Sequence, residues 1–339
     1  MRFSASAFAP ACASPNHCEA DPLRLYPDAS GGEAAVTRYR VFPGMELDYR
    51  DVHARACREL RDGSGERLEI HHCLEGRVEY RQNGRYFYLS PGDLAVARTS
   101  SLPPDSRFPT GHYHGITVTI DPAAAPECLS CILSDVEVRP ATLMEKLCPG
   151  RTVFTARSSR RVKHVFSELY AVPEDIRKGY FKVKLLELLL FLSTLSPEDG
   201  QTPHGCTAAQ VTLAEQVKAC LLAESDRTLT LKSLSQQFNV SEAQIKSSFT
   251  GVYGMSPASY ARSQRMHGAA ALLRETDRTV MDIACQFGYD NASKLARAFR
   301  DVIGVSPREY RAGAEYDSCA PQLGEKPVSL SDADVERRI

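Results

Sequence analysis

At 339 residues the chain is too long for one ordinary core, which argues for two domains. A net charge of −1 excludes a whole-chain electrostatic argument for nucleic acid, and 43% hydrophobic residues without Trp is an ordinary globular composition. The eleven cysteines are odd in number and lack the spacing of a disulfide framework; Cys128-x-x-Cys131 has no second pair, so free thiols are expected and neither a metal nor a cofactor is called for.

Residues 1–35, rich in Ala, Pro, Ser and Gly, read as a disordered arm, too weakly apolar for a signal peptide. Residues 36–157 read as a β-rich domain of short alternating segments. Arg77–Arg81 and Tyr86–Leu89 flank Asn83-Gly84, the strongest short hairpin signal. Turn residues Ser90-Pro91-Gly92-Asp93 follow, then Leu94–Ala97 and a long run, His112–Ile120. Many short strands at this spacing point to a sandwich or small barrel.

Residues 158–196 read as two helices, with Val162, Val165, Phe166, Leu169 and Tyr170 at helical spacing and a second helix from about Asp175 to Leu195. The second is apolar nearly all round. Lys182, Lys184 and Glu187 interrupt it, and it is too short to span a bilayer. A cytoplasmic protein with no membrane partner is expected. So apolar a helix must be buried, either on its own barrel or, the favoured expectation, in a homodimer interface through Phe181, Leu185, Leu188, Leu189 and Leu192. Residues 197–207 are Pro-, Gly- and polar-rich and read as a linker, and 314–339 as a polar tail.

Residues 208–313 say nearly the same thing twice. Gly254-Met255-Ser256-Pro257-Ala258-Ser259-Tyr260 returns as Gly304-Val305-Ser306-Pro307-Arg308-Glu309-Tyr310, with Phe249 and Phe299 at the same step before each. Leu231-x-x-Leu234-Ser235-x-x-Phe238 matches Val280-x-x-Ile283-Ala284-x-x-Phe287. Such a repeat marks a duplicated supersecondary unit, here helix, tight turn, helix. Between Ala208 and Arg311 there are 13 Lys and Arg against 10 Asp and Glu, a modest excess suited to phosphate contact.

These residues resemble the DNA-binding domain of the AraC/XylS family of transcription regulators over about residues 213–311. The most specific stretch is Ile283-Ala284-x-x-x-Gly288-Tyr289-Asp290-x-x-Ser293, then Phe299-Arg300-x-x-x-Gly304-x-Ser306-Pro307-x-x-Tyr310-Arg311. The resemblance implies an α+β protein of two domains: a cupin-like N-terminal barrel with a helical dimerisation segment, and an all-α C-terminal domain with two helix-turn-helix units joined by a long helix. It implies recognition helices in successive major-groove segments, about 34 Å apart. On matching positions the base-facing residues are Ala243, Lys246 and Ser247 in the first unit, and Ser293, Lys294 and Arg297 in the second; Thr250 and Arg300, outward on the same helices, complete the expected DNA-facing set. The family usually has an aromatic pair after Ser293, where this chain has Lys294-Leu295.

The N-terminal histidines leave three readings open. His71, His72, Glu75, His112 and His114 could line an effector pocket, hold a metal, or be structural; adjacent His71 and His72 must point to opposite faces of a strand. No nucleophile–base pattern stands out, so no catalytic residue is expected. The expected function is an effector-responsive, sequence-specific transcription activator. Its expected partners are double-stranded operator DNA, an unidentified small molecule, RNA polymerase and a second copy of itself. The alternative is a cupin-type small-molecule or metal-binding protein, or an enzyme, whose helical domain does not bind DNA.

Overall fold

A computed structural model describes residues 20–24, 26–27, 31–58, 65–125, 138–150, 152–200, 205–223 and 230–319. Much of the expected N-terminal arm, the Cys128–Cys131 pair, part of the linker and residues 320–339 lie outside the described residues, but within the arm Ala20–Arg24, Tyr26–Pro27 and the start of Gly32–Phe42 are strands, because backbone pairing orders them where composition suggested disorder. The chain forms two compact units, one of residues 1–217 with 231–256 and the other of residues 218–230 with 257–339.

The strands, all in the first unit, are β1 (Ala20–Arg24), β2 (Tyr26–Pro27), β3 (Gly32–Phe42), β4 (Met45–Ala54), β5 (Ala56–Arg58), β6 (Leu68–Gly76), β7 (Val78–Gln82), β8 (Arg85–Leu89), β9 (Asp93–Arg98), β10 (Asp105–Arg107), β11 (Tyr113–Ile120) and β12 (Phe154–Arg157). The helices are α1 (Pro140–Leu147), α2 (Arg160–Tyr170), α3 (Arg177–Ser193), α4 (Ala208–Ala223), α5 (Leu231–Phe238), α6 (Glu242–Tyr253), α7 (Pro257–Glu275), α8 (Val280–Gln286), α9 (Ala292–Ile303) and α10 (Pro307–Cys319).

A seven-stranded sheet runs in the order β1-β3-β4-β11-β6-β9-β12, with β10-β5-β2 and the β7-β8 hairpin as smaller sheets. The turn between β7 and β8 carries Asn83 at φ 51° and Gly84 at φ 73°, the two positive values that a two-residue hairpin with matched twist requires. At the centre, β11 is buried on both faces, and its β-branched run Ile116-Thr117-Val118-Thr119-Ile120 fits that position.

Each face of the large sheet has its own apolar core. On one, Tyr39, Leu47, Ile70, Val96, Ile116 and Val118 pack against Leu143 and Leu147 of α1, Val165 and Phe166 of α2 and the apolar side of α3. On the other, Val52, Ala54, Cys73, Ala95 and Tyr113 pack with Tyr80 and Leu89 of the hairpin and with Cys57 and Phe108. The sequence reading missed α1 and β12. Their signals were short: Pro140 at the first helical turn, then Leu143, Met144 and Leu147, and a four-residue strand.

Helix α3 resolves the choice left open for its apolar surface. Phe181, Leu185, Leu188, Leu189 and Leu192 are each at most 1% exposed within this one chain. They hold α3 onto the sheet and are not available to a second copy, which corrects their assignment to a dimer interface. The opposite side of α3 carries Val183, 61% exposed, with Leu186 and Leu190 partly exposed. A Tyr180–Glu168 hydrogen bond ties α3 to α2.

In the second unit, Met266, Ala270 and Leu273 of α7 pack on Ile283 and Ala284 of α8 and Leu295 and Phe299 of α9. Tyr310 of α10 sets its ring edge-on to Phe299 at 5.5 Å. Arg311 donates to the carbonyls of Leu273 (3.2 Å), Thr276 (3.4 Å) and Arg278 (2.6 Å), satisfying acceptors at the end of α7 and in the connection to α8.

His72 gives the sheet–helix core a pH dependence. Its ring stacks on Phe166 at 4.1 Å, with Nδ1 3.4 Å from the Tyr170 hydroxyl. Burial, with Lys163 adding a smaller push, drives its pKa down to about 4. The unfolded chain takes up this proton near the ordinary value of 6.5, so between 6.5 and 4 it binds more protons than the folded chain. Stability is therefore greatest above the window and falls as the pH drops through it, by up to about 3 kcal/mol. Denaturant melts from pH 7 to pH 4 should show this slope in wild type and a flatter one in His72→Leu; equal slopes would contradict the assignment.

Candidate nucleic-acid interface

Both helix-turn-helix units are set up by side-chain caps. In the first, Asn239 turns the chain at φ 51° and Ser241 accepts a hydrogen bond from Gln244 N at 3.1 Å, starting α6. In the second, Thr279 and Asp282 form a reciprocal capping box at the start of α8, and Asn291 accepts from Lys294 N at 2.8 Å to start α9. Both second helices stop at a left-handed glycine, Gly254 at φ 76° and Gly304 at φ 92°. Pro257 and Pro307 then open the next helices.

The outer faces of α6 and α9 differ as much as their inner faces agree. Ile245 and Phe249 in α6, and Leu295 and Phe299 in α9, are fully buried. Ala243, Lys246, Ser247 and Thr250 are exposed on α6, and Ser293, Lys294, Arg297 and Arg300 on α9. With the repeat aligned, Ala243 stands where Ser293 does, Ser247 where Arg297 does and Thr250 where Arg300 does. Gln244 is exposed at the position equivalent to Lys294. It was absent from the residues expected to face DNA, although its amide suits adenine recognition. Lys294 Nζ is paired with Asp290 at 2.5 Å, a solvated (i, i+4) contact that phosphate can displace.

One side chain that the sequence reading did not single out holds α6. Arg77, from the β6–β7 junction, donates from Nη1 to the Thr250 carbonyl at 3.3 Å. It lies over the Tyr88 ring at 5.4 Å and is only 9% exposed. Burial lowers its pKa from the ordinary arginine value. Beside it Cys206 pairs with Tyr86 in an isolated antiparallel bridge (N···O 2.9 and 2.8 Å), and a Cβ at Gly251 of α6 would lie 2.6 Å from Cys206 Sγ. The C-terminal end of α6 thus rests on the β7-β8 hairpin through a buried cation on a helix carbonyl, a favourable pole for positive charge.

The structure does not bring the five candidate effector residues to one place. His71 faces the hairpin side, with Nε2 3.1 Å from Glu69 and Nδ1 3.1 Å from Thr117 Oγ1. It lines a cavity of about 20 Å³ with Arg50, Val78, Glu79, Tyr80 and Tyr113. That volume holds about one water. His72 lies on the opposite face, under α2. Glu75 is exposed and pairs in register with His114, whose ring centroid is 6.4 Å from that of His112.

Residues 234–313 match the helix-turn-helix domain family. The uncharacterized HTH-type transcriptional regulator YdiP of Escherichia coli K12 is 34% identical over 275 residues, covering 77% of this chain and 88% of that protein. The arabinose operon regulatory protein of Salmonella typhimurium is 23% identical over 71% of this chain and 82% of that protein. A putative AraC-like transcription regulator of Streptomyces lividans is 30% identical, but over only 37% of this chain and 43% of its own length. Among the described residues no helix is long and apolar enough to cross a membrane. The chain belongs to the AraC family of helix-turn-helix transcription regulators and is a DNA-binding regulator of transcription.

Proposed function

We propose that this regulator is an effector-responsive activator whose α6 and α9 read operator DNA, with α9 carrying most of the base discrimination. The observation that supports this most is the exposed stripe Ser293, Lys294, Arg297, Arg300 on a capped, buried-backed helix, against the smaller Ala243, Ser247 and Thr250 on α6. An arginine on such a face can make a bidentate contact to guanine, whereas alanine and serine offer little. The cytoplasm is its place of action, and RNA polymerase and operator DNA are its partners.

The sheet-rich region acts in this proposal as a cupin-like sensor. Its cavity is lined by Val78, Glu79 and Tyr80 of β7, and Arg77 immediately precedes them. A small molecule that enlarges this cavity displaces β7 and with it the Arg77 contact to Thr250. The ligand signal thereby reaches the end of a recognition helix through two adjoining elements, a coupling expected to be worth about 1–3 kcal/mol. A second copy of the chain is proposed to pack along the outer side of α3, where Val183 is exposed beside Leu186 and Leu190.

Fluorescence anisotropy with the DNA upstream of the protein's own gene, against scrambled DNA, tests the recognition assignment. Arg297→Ala should cost about 1–3 kcal/mol on the specific sequence and much less on scrambled DNA. The equivalent Ser247→Ala should cost less. Equal loss on both DNAs would demote Arg297 to a phosphate contact, and no specific binding by wild type would sink the assignment. Arg77→Ala should raise effector-free DNA affinity about fivefold or more; unchanged or weaker binding by a folded variant would remove Arg77 from the relay. Light scattering should find a dimer that Val183→Asp converts to a monomer, and a wild-type monomer or a dimeric variant would overturn the α3 interface.

A further inference from the structure

Asp51 and His114 are direct partners across the β4–β11 ladder, and His53 follows Asp51 by two residues on the same face of β4. This face is also the one that α1–α3 cover elsewhere, since Leu47 and Ile116, in step with Asp51 and His114, lie in that core. Asp51 Oδ1 is 3.0 Å from His53 Nε2 and 3.3 Å from His114 Nδ1. The ligand atoms of the three residues all lie within 4.8 Å of one another. The Asp51 Oδ1 atom is buried, yet neither imidazole meets it in hydrogen-bond geometry. Its side chain as a whole is 34% exposed, and those of His114 and His53 are 14% and 55% exposed.

Three lone-pair atoms converging without hydrogen bonds between them have the arrangement of a ligand set. Ligands about 2.1 Å from a tetrahedral ion stand about 3.4 Å apart, close to the spacings here. Two neighbouring strands in the middle of the large sheet fix the backbone positions, so little ordering remains on binding. We propose that Asp51, His53 and His114 bind one divalent transition-metal ion of the borderline class, Zn²⁺, Co²⁺ or Ni²⁺, with water completing the coordination. Two imidazoles and one carboxylate suit these ions rather than Ca²⁺ or Mg²⁺, which favour all-oxygen sites.

The full chain, stripped with a chelator, is titrated with Zn²⁺ in a calorimeter and with Co²⁺ by absorption. One equivalent should bind, and the Co²⁺ spectrum should show ligand-field bands without thiolate charge transfer. His53→Ala and Asp51→Asn should each weaken binding about tenfold or more, while His71→Ala, on the other face of the sheet, should not. His53 is the most exposed of the three side chains, so its variant keeps the fold, as a circular dichroism melt will verify. Absence of binding heat, thiolate bands, or wild-type affinity in a folded His53→Ala protein would each overturn the proposal.

Discussion

The alternation of side chains along a strand governs this molecule. Because β11 lies between β4 and β6 and is buried on both faces, every residue on these three strands belongs to one of two surroundings. His71 and His72 are adjacent, yet one touches Glu69 and Thr117 on the hairpin side and the other stacks on Phe166 beneath α2. A one-residue slip in register would exchange these surroundings and place two apolar cores in the wrong hands. The large sheet is thus a partition: a cavity and the hairpin that meets α6 lie on one side, and the helices and the Asp51–His53–His114 cluster on the other.

The duplicated helical unit follows a different rule, in which the inside is held fixed and the outside varies. Phe249 and Phe299 are both wholly buried, and the second helices of both units end at a left-handed glycine. An arginine also serves helix-end carbonyls in each compact unit, Arg77 at α6 and Arg311 at α7. Arg311 follows Tyr310, the last residue of the second copy. Arg77 comes from the sheet, some 170 residues earlier, so the two copies are anchored by unrelated means.

Local signals were legible wherever the chemistry is local. Asn83-Gly84, Ser241, Asn291 and the Ser-Pro pairs at Pro257 and Pro307 each specify a backbone conformation from a few neighbouring residues, and the structure uses each as such. The eight expected DNA-facing residues are all exposed, since helical periodicity with buried anchors leaves little choice. What escaped was long-range. Nothing near Arg77 announces a helix 173 residues away, and Asp51 and His53 become notable only when β11 brings His114 beside them. The apolar residues of α3 showed that the helix is buried but not by what, because one core and one interface ask for the same side chains.

The Tyr86–Cys206 bridge pins the end of the expected linker to the hairpin. By the time the chain enters α4 at Ala208 it has already been returned to the hairpin on which α6 rests. Reaching that resting place is then the closure of the stretch from Cys206 to Thr250 rather than a search by a free tether. Its entropic cost depends only logarithmically on loop length, about 0.6 kcal/mol per doubling. The Arg77–Thr250 contact therefore forms between segments that the Tyr86–Cys206 bridge has already brought into one neighbourhood.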